Sequence, residues 1–202
     1  MKKIKTLEYR KLEIILKDIQ KPGRYVDHEI GTSSKDPVKL EDIPGSVFAA
    51  LAFPDIYEIG FPNIGLQILY DIINSRSEFS AERIFSPWTD FEDRLRETGI
   101  GLFSLENRIL VESFDIIGFS LQHELLYTNM LNMLDLGKIP LHAEKRGPEY
   151  PLICAGGPAM VNPQPVSGFI DFAVIGDGEE VIIPVLERVG AYKVKNRGKD
   201  WF

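Results

Sequence analysis

The sequence predicts an α/β domain, a doubly wound, mostly parallel sheet of five strands in the order 2-1-3-4-5, preceded by an N-terminal helix and an extended arm. Three observations predict it. Short apolar runs at 47–53, 116–120, 152–155 and 172–175 have the length and composition of buried strands, and 81–85 is read as a further strand between them. Segments with apolar residues at helical spacing lie between several of them, and a helix inserted between buried strands returns the chain for a parallel, right-handed crossover. Finally, four of the runs end in loops with the residues of a ligand-facing turn: Pro54-Asp55-Ile56-Tyr57-Glu58-Ile59-Gly60, Ser120-Leu121-Gln122-His123-Glu124, Ala155-Gly156-Gly157-Pro158 and Gly176-Asp177-Gly178-Glu179-Glu180.

Each element follows from local pattern. Residues 7–19 repeat apolar positions at helical spacing until Pro22-Gly23 stops them, which predicts a leader helix. From Arg24 to Pro44 the chain is polar and aperiodic, the pattern of an arm lying on the domain. The first strand, 47–53, leads to a helix over 63–74 with Pro62 suited to its first turn. The second, 81–85, leads to a helix over 90–97 that Gly99 ends. Residues 101–111 read as a short hairpin or edge strand turning at Glu106-Asn107-Arg108. The third strand, 116–120, precedes a helix over 124–136 with Leu and Met at core spacing; the fourth and fifth strands follow, then a last helix over 180–189. The domain divisions are therefore 1–45 for leader and arm, 46–192 for the α/β domain, and 193–202 for a linker, its Lys and Gly content suggesting a piece of a longer protein.

Composition narrows the function. With 202 residues, 44% of them apolar, the chain can bury a full core. A net charge of −7 argues against a nucleic-acid footprint, and the eight Lys and Arg among residues 1–24 read as a solvated helix face. The single cysteine, Cys154, excludes an internal disulfide and reads as a small buried hydrophobe. No apolar run reaches membrane-spanning length and no secretory pattern opens the chain, so the expectation is a cytoplasmic protein with no membrane partner.

The strand order sets the four loops of strands 1, 3, 4 and 5 side by side at the carboxyl edge, where open α/β sheets hold ligands. Asp55 and Tyr57 either serve a ligand or cap and pack the turn that Gly60 allows. Ser120 either caps the next helix or touches a ligand. Gly156 and Gly157, before Pro158, either clear space for a planar group or make a sharp turn. Gly176, Gly178 and Glu179 offer bare backbone and an acceptor, or simply suit the helix start. His123 has no second His or Cys at ligand spacing, so a metal site is not expected. The phosphate loop Gly-x-x-x-x-Gly-Lys-Ser/Thr, the dinucleotide fingerprint Gly-x-Gly-x-x-Gly and the nucleophile elbow Gly-x-Ser-x-Gly do not occur.

At these residues the chain resembles the B12-type, flavodoxin-like domain that precedes radical SAM modules. Phe53-Pro54-Asp55, Pro62-Asn63-x-Gly65-Leu66, Gly156-Gly157-Pro158 and Asp171-Phe172-x-Val174-x-Gly176-Asp177-Gly178-Glu179 carry the resemblance. It is similar in more detail to an uncharacterised bacterial family in which such a domain is fused to a radical SAM protein. That likeness lies in Lys21-Pro22-Gly23-Arg24-Tyr25, 64–70, Ala81-Glu82-Arg83, Pro87-Trp88, 102–106 and 127–136. The resemblance implies a cobalamin held by Asp55, Tyr57, Gly60, Ser120, Gln122, Gly156, Gly157, Pro158, Gly176, Gly178 and Glu179. It also implies a radical SAM domain of the same parent protein as partner. Histidine-ligated relatives carry Asp-x-His-x-x-Gly, whereas Tyr57 stands at the middle position here, so the resemblance implies cobalt without a histidine ligand. Ser120 is followed directly by Leu121, a departure from the Ser-x-Leu signature that weakens the usual slot for a nucleotide tail. S-adenosylmethionine and a 4Fe–4S cluster would belong to the missing module, because their Cys-x-x-x-Cys-x-x-Cys site needs three cysteines. The alternative is a degenerate domain of this fold that binds no cofactor and docks a domain or positions a substrate.

Overall fold

The computed structural model describes residues 4–26 and 29–195. Its sheet has five strands, β1 (Val47–Phe53), β2 (Phe79–Phe85), β3 (Ile116–Ser120), β4 (Leu152–Gly156) and β5 (Phe172–Ala173), in the order β2-β1-β3-β4-β5 with every pair parallel. The helices are α1 (Tyr9–Leu16), α2 (Pro37–Glu41), α3 (Tyr57–Gly60), α4 (Ile64–Asn74), α5 (Thr89–Thr98), α6 (Tyr127–Leu136) and α7 (Gly178–Lys195). Because strand side chains alternate, the sheet feeds two cores. Phe48, Ala50, Ile117 and Phe119 join α1, α5 and α6 on one face; Val47, Leu51, Phe53 and Ile116 join α4 and α7 on the other. Fully buried Phe91, Ile73, Ile117 and Leu186 tie the layers together, each such side chain stabilising by about 1.5–3 kcal/mol on burial.

Several expectations shift in detail. The region read as a plain arm contains a 3-10 turn, Pro22–Tyr25, and α2, which Asp36 caps by accepting from the Val38 N–H. Pro62, expected in the first turn of α4, precedes its cap Asn63, which accepts from Leu66 N–H at 2.9 Å. The fifth strand is only two residues long, and the 101–111 stretch makes isolated bridges, Phe103 to Leu110 and Thr6 to Ile109, instead of a hairpin ladder. The boundary expected at 192/193 falls within α7, where Lys193 Nζ donates to the Ser46 carbonyl and to Asp115, each at 2.7 Å. The remainder of the expected linker lies outside the described residues.

β2 is an edge strand, yet all seven of its residues are buried. Its outer backbone groups are met one by one. Asn74 takes the Ala81 N–H at 3.0 Å and gives to the Ala81 carbonyl at 3.2 Å. Lys35 Nζ donates to the Phe79 carbonyl at 2.6 Å, Glu106 accepts from Arg83 N–H at 2.9 Å, and the Leu105 N–H donates to the Arg83 carbonyl at 2.9 Å. The arm and the 102–110 segment thus stand where a sixth strand would otherwise pair.

Candidate functional site at the carboxyl edge

Parallel pairing brings the ends of β1, β3, β4 and β5 to one edge, and hydrogen bonds beyond the strands hold their loops together. Leu121 N–H donates to the Gly156 carbonyl at 2.8 Å, Ala159 N–H to the Leu121 carbonyl at 3.1 Å and Val174 N–H to the Ala155 carbonyl at 2.8 Å. Asn129 at the start of α6 reaches across to the Pro54 carbonyl at 2.9 Å, fixing the β1 loop.

The sequence-predicted residues divide into two groups. Over β3, β4 and β5 lie Ser120, Gln122, Gly156, Gly157, Pro158, Gly176, Gly178 and Glu179. Ser120 and Gly156 are register partners, and by alternation they share the face that carries α4 and α7. No side-chain cap forms on the short turn after Ser120. Gln122 is half-buried and His123 exposed; among the described residues no cluster of three or more His, Cys, Asp or Glu could hold a metal.

The glycines differ in what their missing side chains permit. A Cβ on Gly157 would lie 2.7 Å from the Leu121 carbonyl oxygen, and its φ of 99° is in the glycine region. Its bareness therefore serves the close crossing of the β3 and β4 loops, not an open ligand face. Gly156 would meet only Val174 at 3.8 Å, and nothing lies within 4 Å of a side chain at Gly176. Of the pair Gly156-Gly157, read as clearing space or turning sharply, Gly156 has the clearance and Gly157 makes the close turn; Gly176 is clear as well. The segments after β3, β4 and β5 also carry aliphatic side chains in water: Leu125 is 83% exposed, Val161 82% and Ile175 68%.

The second group, Asp55, Tyr57 and Gly60, leans toward β2. Asp55 accepts from Ile56 N–H at 2.7 Å and its carbonyl from Ser86 N–H at 2.9 Å. Gly60 lies under aromatic rings, where a Cβ would come 2.6 Å from Phe85. Tyr57 stacks on Phe61, meets Phe85 edge-on and donates its hydroxyl to Glu29 at 2.9 Å. Burial, then the Glu29 carboxylate, pushes the phenol up to about 12.

Sequence reading missed the residues behind this arrangement. Glu29 also accepts from Arg83 Nη2 at 2.8 Å, and Arg83 Nε pairs with Glu106 at 2.7 Å, beneath the Tyr70 ring at 4.7 Å. Burial raises Glu106 to about 7 against the pull of Arg83. Charged residues inside a buried strand, Glu82 and Arg83 of Ala81-Glu82-Arg83, are the physical signal of a buried network there.

Fold and edge together define an α/β domain with an open, glycine-lined carboxyl rim. Over residues 65–202 the chain matches the family described as "Radical SAM proteins, N-terminal", and it belongs to that family. An uncharacterised protein of Methanocaldococcus jannaschii is 32% identical over 98 residues, 47% of this chain and 20% of that protein. The chain thus matches about a fifth of the length of that relative. No solved structure matches it.

Proposed function

We propose that the chain is the corrinoid-receiving module at the head of a radical SAM protein, with residues 46–192 carrying the ligand edge. The observation that carries this reading is that exposed Leu125, Val161 and Ile175 lie in the segments that follow β3, β4 and β5, the same segments in which Gly156 and Gly176 have room for a side chain. Isolated apolar side chains on a surface are ordinary, but several along one glycine-bearing edge suit a large ligand whose planar ring carries methyl groups. Cobalamin fits that description. Ser120, Gln122, Gly156 and Gly176 would line its seat, with Pro158, Gly178 and Glu179 at its margin. Bound there, it would supply a redox-active cobalt centre to the partner radical SAM domain of the parent protein. S-adenosylmethionine and the 4Fe–4S cluster would be held by that domain.

The engagement of Tyr57 by Glu29 supports the part of the reading in which cobalt takes no ligand from the Asp55-x-Tyr57-x-x-Gly60 loop. The same exposed aliphatics favour a second reading, a domain that docks its radical SAM partner without a cofactor.

Titration with hydroxocobalamin, followed by gel filtration, separates the two. Corrin absorbance co-eluting at about one equivalent, and lost in Gly156→Leu while the circular dichroism is unchanged, is the expected result. Clean separation of corrin from the native protein overturns the corrinoid reading and leaves the docking domain.

A further inference from the structure

β5 ends at Ala173, and one bond to the sheet follows it, from the Val174 N–H to the Ala155 carbonyl at 2.8 Å. Among the described residues no backbone hydrogen bond ties Ile175, Gly176 or Asp177 back to the strands. Gly176 stands at a φ of 113° with nothing within 4 Å of where a side chain would be, so the chain is free to turn there. α7 then begins at Gly178 and runs for 18 residues with Pro184 inside it.

Pro184 divides α7 into halves that are held unequally. Having no N–H, it cannot give the Glu180 carbonyl the donor that the helical ladder supplies elsewhere, and its ring crowds that carbonyl. All three buried residues of the helix, Leu186, Val189 and Gly190, come after it. Gly190 lies directly against the Gly45 carbonyl, where a side chain would not fit, and Lys193 Nζ is bonded to the Ser46 carbonyl and to Asp115. Before the proline, Glu179, Glu180 and Val181 are exposed. What holds that half is shallow: half-buried Ile182 and Ile183 rest against the core, and Gly178 sits beside the Leu69 side chain of α4.

We propose that residues 177–183 form a flap, pivoting at Gly176 and at Pro184, that sets the gap between the end of β5 and α4 at the carboxyl rim. The two pivots let this piece move while the second half of α7 stays fixed on β1 and α4. Closed, the flap rests Gly178 on Leu69; open, it withdraws Glu179 and the bare backbone of Gly178 from the rim. An occupant of the rim shifts the flap only by the difference in its affinity for the two states. The pivots belong to the chain itself and stand whether or not the occupant is a corrinoid.

Digestion of the native full chain with a glutamyl endopeptidase, followed by peptide mass spectrometry, tests the flap without a ligand, since a protease cuts only backbone that detaches locally. Glu179 and Glu180 lie on the flap, and Glu187, also exposed, lies on the anchored half of the same helix as the internal reference. In the wild-type chain the bonds after Glu179 and Glu180 should be cut about tenfold faster than the bond after Glu187. Pro184→Ala restores the missing N–H and should slow the two flap cuts about threefold while leaving the Glu187 rate as it was. Equal wild-type rates on the two sides of Pro184 overturn the flap. So does fast cutting at Glu179 and Glu180 that Pro184→Ala leaves unchanged, since that pattern belongs to simple fraying of a helix end. Equal slowing at Glu187 in the variant also overturns it, by making Pro184 a determinant of the whole helix instead of a pivot.

Discussion

At the scale of single residues, adjacent glycines can exist for opposite reasons. Gly156 leaves space, while Gly157 removes a collision with the Leu121 carbonyl and adopts a backbone angle that side chains disfavour. Gly157→Ala should therefore destabilise the domain by about 1–3 kcal/mol, with Gly156→Ala close to neutral, as read from urea unfolding midpoints. Equal effects at the two positions would show that the loop crossing relaxes at no cost. The pair also marks the limit of reading a site from sequence. The Gly-Gly-Pro pattern after an apolar run identified a turn at the sheet edge, but which glycine faces the open side depends on the direction of a Cβ that only the neighbouring β3 loop defines. Tyr57 teaches the same lesson, because the residue that holds its hydroxyl, Glu29, comes from a polar arm without periodicity.

Among the elements, β1 and β3 were legible to the residue, since uninterrupted apolar runs between turn formers admit few other readings. β2 was read two residues short because Phe79-Ser80 and Glu82-Arg83 break the apolar pattern, and β5 was read too long because Val174 and Ile175 are apolar for the rim instead of the sheet. α2 and α3 are too short to show a period. β2 also carries an electrostatic consequence. Glu82 is fully buried, and burial raises its pKa although Ser104 and Asn107 donate to it. A raised acid contributes stability that is intact below its unfolded pKa of about 4.3 and is lost as pH climbs through the folded value. Glu82→Gln holds the neutral state throughout, so its melting temperature should fall less than that of the wild type between about pH 5 and pH 8. Parallel pH profiles for the two proteins would mean that Glu82 is comfortably ionised in the fold.

For the whole molecule, the order β2-β1-β3-β4-β5 concentrates the loops of four strands at one rim, and the described helices include none long and apolar enough to cross a membrane. The leader adds no separate unit: Leu12 and Ile15 of α1 share a core with α5 and α6. Exposed Leu125, Val161 and Ile175 lie in the segments that leave this rim after β3, β4 and β5, where Gly156 and Gly176 have room for a side chain.

The closure of β2 has a different bearing on how copies of this chain meet. A bare parallel edge is a template on which identical molecules can add strand upon strand into fibrils. Here an asparagine amide, a lysine and a glutamate occupy the positions that a foreign strand would claim, and the opposite border, β5, is too short to nucleate much pairing. Asn74→Ala strips both bonds from Ala81 and should turn a quiescent solution into one that seeds thioflavin-positive aggregates on prolonged warming; a variant that stays clear would show that the remaining cover suffices. The arm's Lys35, Asn74 of α4 and Glu106 thus together guard this border of the sheet against self-polymerisation.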